Sequence, residues 1–200
     1  PDRGGVISVG GIGYDISCGV RTMRTGVRRG DVQGRMQDLV QALHAHVPAG
    51  LGSEGKIKLS GAKLDRLLQD GAAWAVKQGY GDKADLDCIE DRGRMEGADP
   101  GQVSDTAKKR QKQQLGTLGS GNHYLEIQYV DQVYDAEAAR AFGLFQDEVL
   151  VTVHSGSRGL GHQIATDYVQ RLARAAAKHN LSFPTRDLVS APIRSEEGRA

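Results

Sequence analysis

"EVLVTVHSGSRGLG", residues 148–161, decides the fold class. Its first seven residues are almost uninterrupted apolar and rich in valine, as in a strand covered on both faces. His154 stands at the end of that strand. A glycine loop follows, and then Ile164, Tyr168, Leu172 and Ala176 recur at helical spacing, which predicts a helix ending near Asn180. Strand, glycine turn and helix in direct succession require sheet and helix to pack together. Working outward, "QLGTLGSGNHYLEIQYV" (114–130) reads as a second glycine loop entering an alternating strand, with His123, Leu125, Ile127 and Tyr129 on one face. Residues 31–48 read as a helix capped by Asp31, with Val32, Met36, Leu39, Val40 and Leu43 on its buried side and Pro48 as its stop. A second helix is expected after Ser60, burying Leu64, Leu67, Leu68, Ala75 and Val76, and a third after Val103. No repeat, low-complexity tract or linker interrupts the chain. The expected fold is α+β, a mixed sheet with packed helices, with residues 1–200 as a single unit.

Composition narrows the function classes. The 200 residues carry 26% charged and 38% hydrophobic side chains and a formal net charge of +1, which fits a globular protein and names no partner by bulk charge. No apolar run has the length of a membrane span and no signal peptide opens the sequence, so a cytoplasmic, membrane-free setting is expected. Two cysteines are too few for a disulfide framework. Cys88 lies among carboxylates in "DLDCIED" and reads as structural. Glycine, at 27 residues, is nearly twice its usual share and is clustered, which points to functional loops.

Three clusters set an ionisable side chain against glycines: Asp15 and Cys18 in "GGIGYDISCGVR" (10–21), His123 in "GSGNHY", and His154 in "VHSGSRG". A carboxylate, a thiolate and two imidazoles are a workable ligand set for one or two divalent ions. Each also has an ordinary reading: a small buried hydrophobe for Cys18, a turn cap for Asp15, hydrogen-bonded structure for either histidine. Strand, "HSGSRGLG", helix is also the arrangement in which backbone N–H groups hold an anion, with Arg158, Ser155 and Ser157 as further donors. Asn122, in "GTLGSGN", suits a phosphate or ribose. Tight turns are the competing explanation for both loops. "GLGSEGKI" (50–57) is rejected as a phosphate loop, since Ile57 replaces the required Ser or Thr and no strand precedes it. Basic runs at Arg21, Arg24, Arg28 and Arg29 and at Lys108, Lys109, Arg110 and Lys112 can steer a polyanion or simply face solvent.

Taken in order and at these separations, "GGIGYDISCGVR", "QLGTLGSGNHYLEIQ" and "VHSGSRGLGHQ" closely resemble the RtcB family of RNA-splicing ligases, and "GADPGQVSDTAKKR" resembles that family's preceding segment. The resemblance implies an RtcB-like ligase fold, represented here by an incomplete N-terminal part of the catalytic domain. It implies a GTP- and Mn2+-dependent RNA ligase that joins 2′,3′-cyclic phosphate or 3′-phosphate ends to 5′-hydroxyl ends, acting on tRNA halves or broken RNA, with an accessory activator possible. Carried over by position, Cys18 would bridge two manganese ions, with Asp15 and His123 on one and His154 on the other. Asn122, His123 and Glu126 would meet the guanine nucleotide, and Arg21, Lys108, Lys109, Arg110 and Arg158 are candidates for RNA contact. Ser17 stands where the family commonly has Asn. The histidine that takes up guanylate is expected beyond Ala200, so this portion alone is expected to be inactive. Softness of the ligands would favour zinc, and manganese comes from the resemblance alone. A two-metal phosphoester hydrolase and a non-catalytic nucleotide- or RNA-binding module are the alternatives.

Overall fold

The computed structural model describes residues 4–199. Among them are five strands, β1 (Val6–Ile7), β2 (Gly19–Arg28), β3 (Tyr124–Tyr129), β4 (Glu148–Ser155) and β5 (Ala191–Pro192). Eight helices accompany them: α1 (Arg29–Val32), α2 (Met36–His46), α3 (Ala62–Asp70), α4 (Ala72–Lys77), α5 (Asp105–Gln111), α6 (Ala136–Phe142), α7 (Arg158–Lys178) and α8 (Glu196–Arg199). This is the α+β class expected from the sequence. The chain forms two compact units of interleaved segments. One takes the residues up to Ile16, Ile57–Gln113 and those from Gly159 onward, and the other takes Ser17–Lys56 and Gln114–Arg158. Because each crossing falls inside a motif or a short turn, no shift of composition marks it.

In the unit built from Ser17–Lys56 and Gln114–Arg158, β2, β4 and β3 form an antiparallel sheet with β4 in the centre. The valine-rich "EVLVTV" supplies that central strand. Directly paired residues share a face, so Val20, Thr22, Tyr124, Glu126, Gln128, Thr152 and His154 stand together on a largely polar side. Leu125, Ile127, Val149, Val151 and Val153 occupy the other. Helix α2 turns Met36, Val40 and Leu43 towards Leu118, Leu125 and Ile127 across a groove of about 290 Å³. The face expected to be buried is not: no residue of α2 is fully buried, and Met36 and Val40 are 38% and 55% exposed, because the groove leaves the helix only partly covered. Asp31 is not the cap expected: it lies in the first turn of α1 and accepts from the Arg28 backbone N–H. A 3-10 turn at Gln33–Arg35 separates α1 from α2. At the far end of β4 the fully buried Glu148 accepts from Arg24 Nε at 3.2 Å, where the β2–β4 register shifts.

In the other unit the core gathers on α7, where Val169, Leu172 and Ala175 pack with Val189 and Ala191, and Val9 and Tyr14 lie against them. The single helix expected after Ser60 is two helices. Gly71, at φ 56°, breaks it, and a side chain there would collide with the Gly93 carbonyl. Helix α5 is capped by Ser104, whose hydroxyl accepts from the Ala107 N–H and donates to Asp167 of α7 at 2.6 Å.

Candidate metal centre

Antiparallel pairing explains how residues distant in sequence converge. Chain entry into β2, chain entry into β3 and chain exit from β4 lie at one end of the sheet, with Gly19 opposite Ser155 and Tyr124 opposite His154. Cys18 immediately precedes β2 and His123 immediately precedes β3, while His154 is the last residue but one of β4. Cys18 Sγ lies 2.8 Å from His154 Nε2 and 3.5 Å from His123 Nε2. The two imidazoles meet edge to face, with centroids 5.3 Å apart, and the Tyr124 ring lies 5.4 Å from that of His154. His123 thus escapes the alternation that would have placed it with Leu125 and Ile127, because it stands before the strand begins.

Both imidazoles are held by main-chain carbonyls. His123 Nδ1 lies 2.9 Å from the Leu118 oxygen, and His154 Nδ1 lies 2.8 Å from the Asn122 oxygen. A carbonyl only accepts, so each Nδ1 carries a proton, and in the neutral ring Nε2 is then the atom with the lone pair, facing Cys18. Metal-binding histidines are usually oriented in this way. The Ser155 hydroxyl also donates to the Leu118 oxygen at 2.8 Å. The loop itself is anchored by hydrogen bonds from the Leu118 N–H to the Pro48 carbonyl and from the Gly50 N–H to the Gly119 carbonyl. Gly119, at φ +105°, is buried against the His123 ring and the Arg158 guanidinium, and Arg158 Nε donates to Thr117 Oγ1 at 3.2 Å. These carbonyls and Gly119 are the site features that residue-type reasoning missed; the only signal for them was the glycine run before His123.

A thiol sulfur beside two imidazole Nε2 atoms is a donor set whose chemistry suits a divalent ion. The 3.5 Å separation from His123 is that of two ligands around one ion (about 3.5 Å), whereas the 2.8 Å separation from His154 is shorter and is that of a direct hydrogen bond between the two groups. Asp15 belongs to the other unit, whose first segment ends at Ile16. Three residues of chain keep it within about 11 Å of Cys18. Ser17, between them, has φ 61°, a left-handed conformation that Asn adopts more readily than Ser. Asn122 and Glu126 are exposed, Glu126 on the polar face of the sheet. Among the cation candidates, Arg21 is exposed on β2, Lys108 pairs with Asp65 at 2.8 Å, and Lys109 and Arg110 are exposed on the last turn of α5. Arg158 is half-buried beside the loop. Cys88 is exposed, so it fills no core position.

Fold and site together define an α+β protein with a thiol and two imidazoles gathered at the end of an antiparallel sheet. Residues 2–200 match the family described as RtcB, tRNA-splicing ligase RtcB, and the chain belongs to that family. It is 54% identical over 195 residues to a tRNA-splicing ligase RtcB of Thermococcus kodakarensis, covering 98% of this chain and 40% of that protein. Proteins of the same name from Methanococcus maripaludis and Archaeoglobus fulgidus are 50% and 48% identical over 98% of this chain. The chain spans about 40% of the length of these relatives. No helix among the described residues is long and apolar enough to cross a membrane.

Proposed function

We propose that these residues are part of an RNA ligase acting in tRNA splicing or RNA repair. The complete protein would join 3′-phosphate or 2′,3′-cyclic phosphate ends to 5′-hydroxyl ends, using GTP and Mn2+. The observation that carries the reading is the convergence of Cys18, His123 and His154, all within the residues matched by the family, on one point, with both imidazoles held through Nδ1 by main-chain carbonyls. Cys18, His123, His154 and Asp15 would hold the manganese. When bound, that metal withdraws charge from the α-phosphate of GTP and stabilises the charge that develops there. The Leu118 and Asn122 carbonyls hold the two rings through Nδ1, so that Nε2 of each neutral ring is the atom that would bind the metal. Asn122 and Glu126 would take up the nucleotide, Asn122 at the phosphate and Glu126 at the guanine. None of the six histidines of this chain is assigned the attack on GTP. That nucleophile is assigned to a part of the full-length protein outside residues 1–200.

The test is the intact mass of the full-length protein after incubation with GTP and Mn2+, beside its Cys18→Ala variant. A covalent guanylate on the native protein that is missing from the variant is the expected result. A folded, metal-loaded native protein with no adduct would replace this reading with a phosphoester hydrolase.

A further inference from the structure

On the polar face of the sheet a chain of side-chain hydrogen bonds ends on Glu126. Thr22 Oγ1 lies 3.2 Å from Thr152 Oγ1, the Thr152 hydroxyl donates to Gln128 Oε1 at 2.7 Å, and Gln128 Nε2 donates to Glu126 Oε2 at 2.7 Å. Strand register builds the chain, since Thr22 and Glu126 both pair with Thr152 from opposite sides and Gln128 is two residues along β3 on the same face. Its direction is forced. An ionised carboxylate only accepts, so Gln128 turns its NH2 to Glu126 and its carbonyl to Thr152; the one Thr152 proton is then committed, and Thr22 must be the donor to Thr152.

Thr152 is 4% exposed, whereas Glu126 and Gln128 are exposed. A glutamate on an open surface samples many rotamers, and each rotamer lost on binding weakens recognition. Here a buried hydroxyl grips the glutamine and the glutamine grips the carboxylate. Gln128 uses one lone pair of a group that has about four, so capacity remains for two further donors.

We propose that Gln128 and Thr152 are positioning residues that hold Glu126 in one orientation and thereby set a preference for guanine over adenine. The inference rests on the reading above that Glu126 meets the base. Guanine offers N1–H and an exocyclic N–H side by side, and a fixed carboxylate accepts both. Adenine offers a lone pair at N1, which a fixed carboxylate repels, and a carboxylate free to swing away loses that discrimination.

Equilibrium binding of GTP and of ATP to the full-length protein with Mn2+ tests this, using Glu126→Gln, Gln128→Leu, Thr152→Val and Thr152→Ser. Gln128→Leu and Thr152→Val should each lose about tenfold of the GTP preference while Mn2+ affinity and melting temperature stay near native. Thr152→Ser, which keeps the hydroxyl, should retain the preference. If Thr152→Val fails to fold, the exposed Gln128 variant still reports the ratio. A native preference that vanishes in Glu126→Gln but survives in Gln128→Leu would overturn the positioning role and leave the function intact. Equal binding of GTP and ATP by the native protein would overturn the assignment of Glu126, and this inference with it.

Discussion

Gly119 shows how tightly single residues are committed at the candidate centre. A Cβ there would come within 2.4 Å of His123 Nδ1 and 2.5 Å of an Arg158 guanidinium nitrogen, and φ is +105°. Gly119→Ala must therefore turn the His123 ring away from the Leu118 carbonyl or expel Arg158, in addition to straining the backbone. The expected cost is about 2 kcal/mol of stability, read by urea unfolding, and about tenfold in Mn2+ affinity, read by calorimetry. Native affinity in a folded Gly119→Ala variant would show that the ring's orientation does not matter to the metal. Cys18, His123 and His154 were recognisable in the sequence by chemistry and glycine company. The tautomers were not, because the acceptors that set them are backbone carbonyls, which carry no residue signature.

Among the elements, α7 and α8 are tied by an ion pair whose pH dependence can be derived. Lys178 Nζ lies 2.9 Å from Glu197 Oε1, and His179 Nε2 lies 3.5 Å from Glu197 Oε2. Hydrogen bonding from Lys178, with further help from a backbone N–H and His179, lowers the Glu197 carboxyl from the usual 4.5 to about 2. A folded-state pKa below the unfolded value stabilises the fold above about pH 4.5, and this contribution is lost as pH falls towards 2. Between pH 7 and 5 the pair should leave the melting temperature unchanged. From pH 4.5 down to 2 the native protein should lose more melting temperature than Lys178→Met, in which the carboxyl returns towards its ordinary value. Parallel melting curves for the two proteins across that range would exclude the link. Helical periodicity located α2 and α7, which lie within the stretches where apolar spacing put them. It missed the breaks at Gln33–Arg35 and Gly71, because at Gly71 a close approach by the Gly93 carbonyl decides, and periodicity carries no trace of it.

For the whole molecule, interleaving is the governing feature. The unit that holds Cys18, His123 and His154 draws β2 from one segment and both β3 and β4 from another, with Ile57–Gln113 between them in the other unit. Its sheet cannot form until residues more than a hundred apart have met. A chain ending at Gln113 keeps β2 but neither its partner β4 nor β3, and a lone strand has no stability in water. Such a fragment should lack the β2 amide protection in hydrogen exchange that is expected of the full-length protein. Protected β2 amides in the fragment would mean that the strand finds another partner.

The sequence by itself determined the α+β class, the strands β3 and β4, the stretches that hold α2, α3, α5 and α7, and the family, because apolar spacing and long glycine-bounded motifs are local properties of a chain; β2 and α6 were not legible in it. Only the tertiary structure decided that Cys18, His123 and His154 share one end of one sheet, that His123 leaves the apolar face, and that a line of hydroxyl and amide groups leads to Glu126. Those facts follow from antiparallel register between segments far apart in the chain, and register is chosen by the packed sheet as a whole.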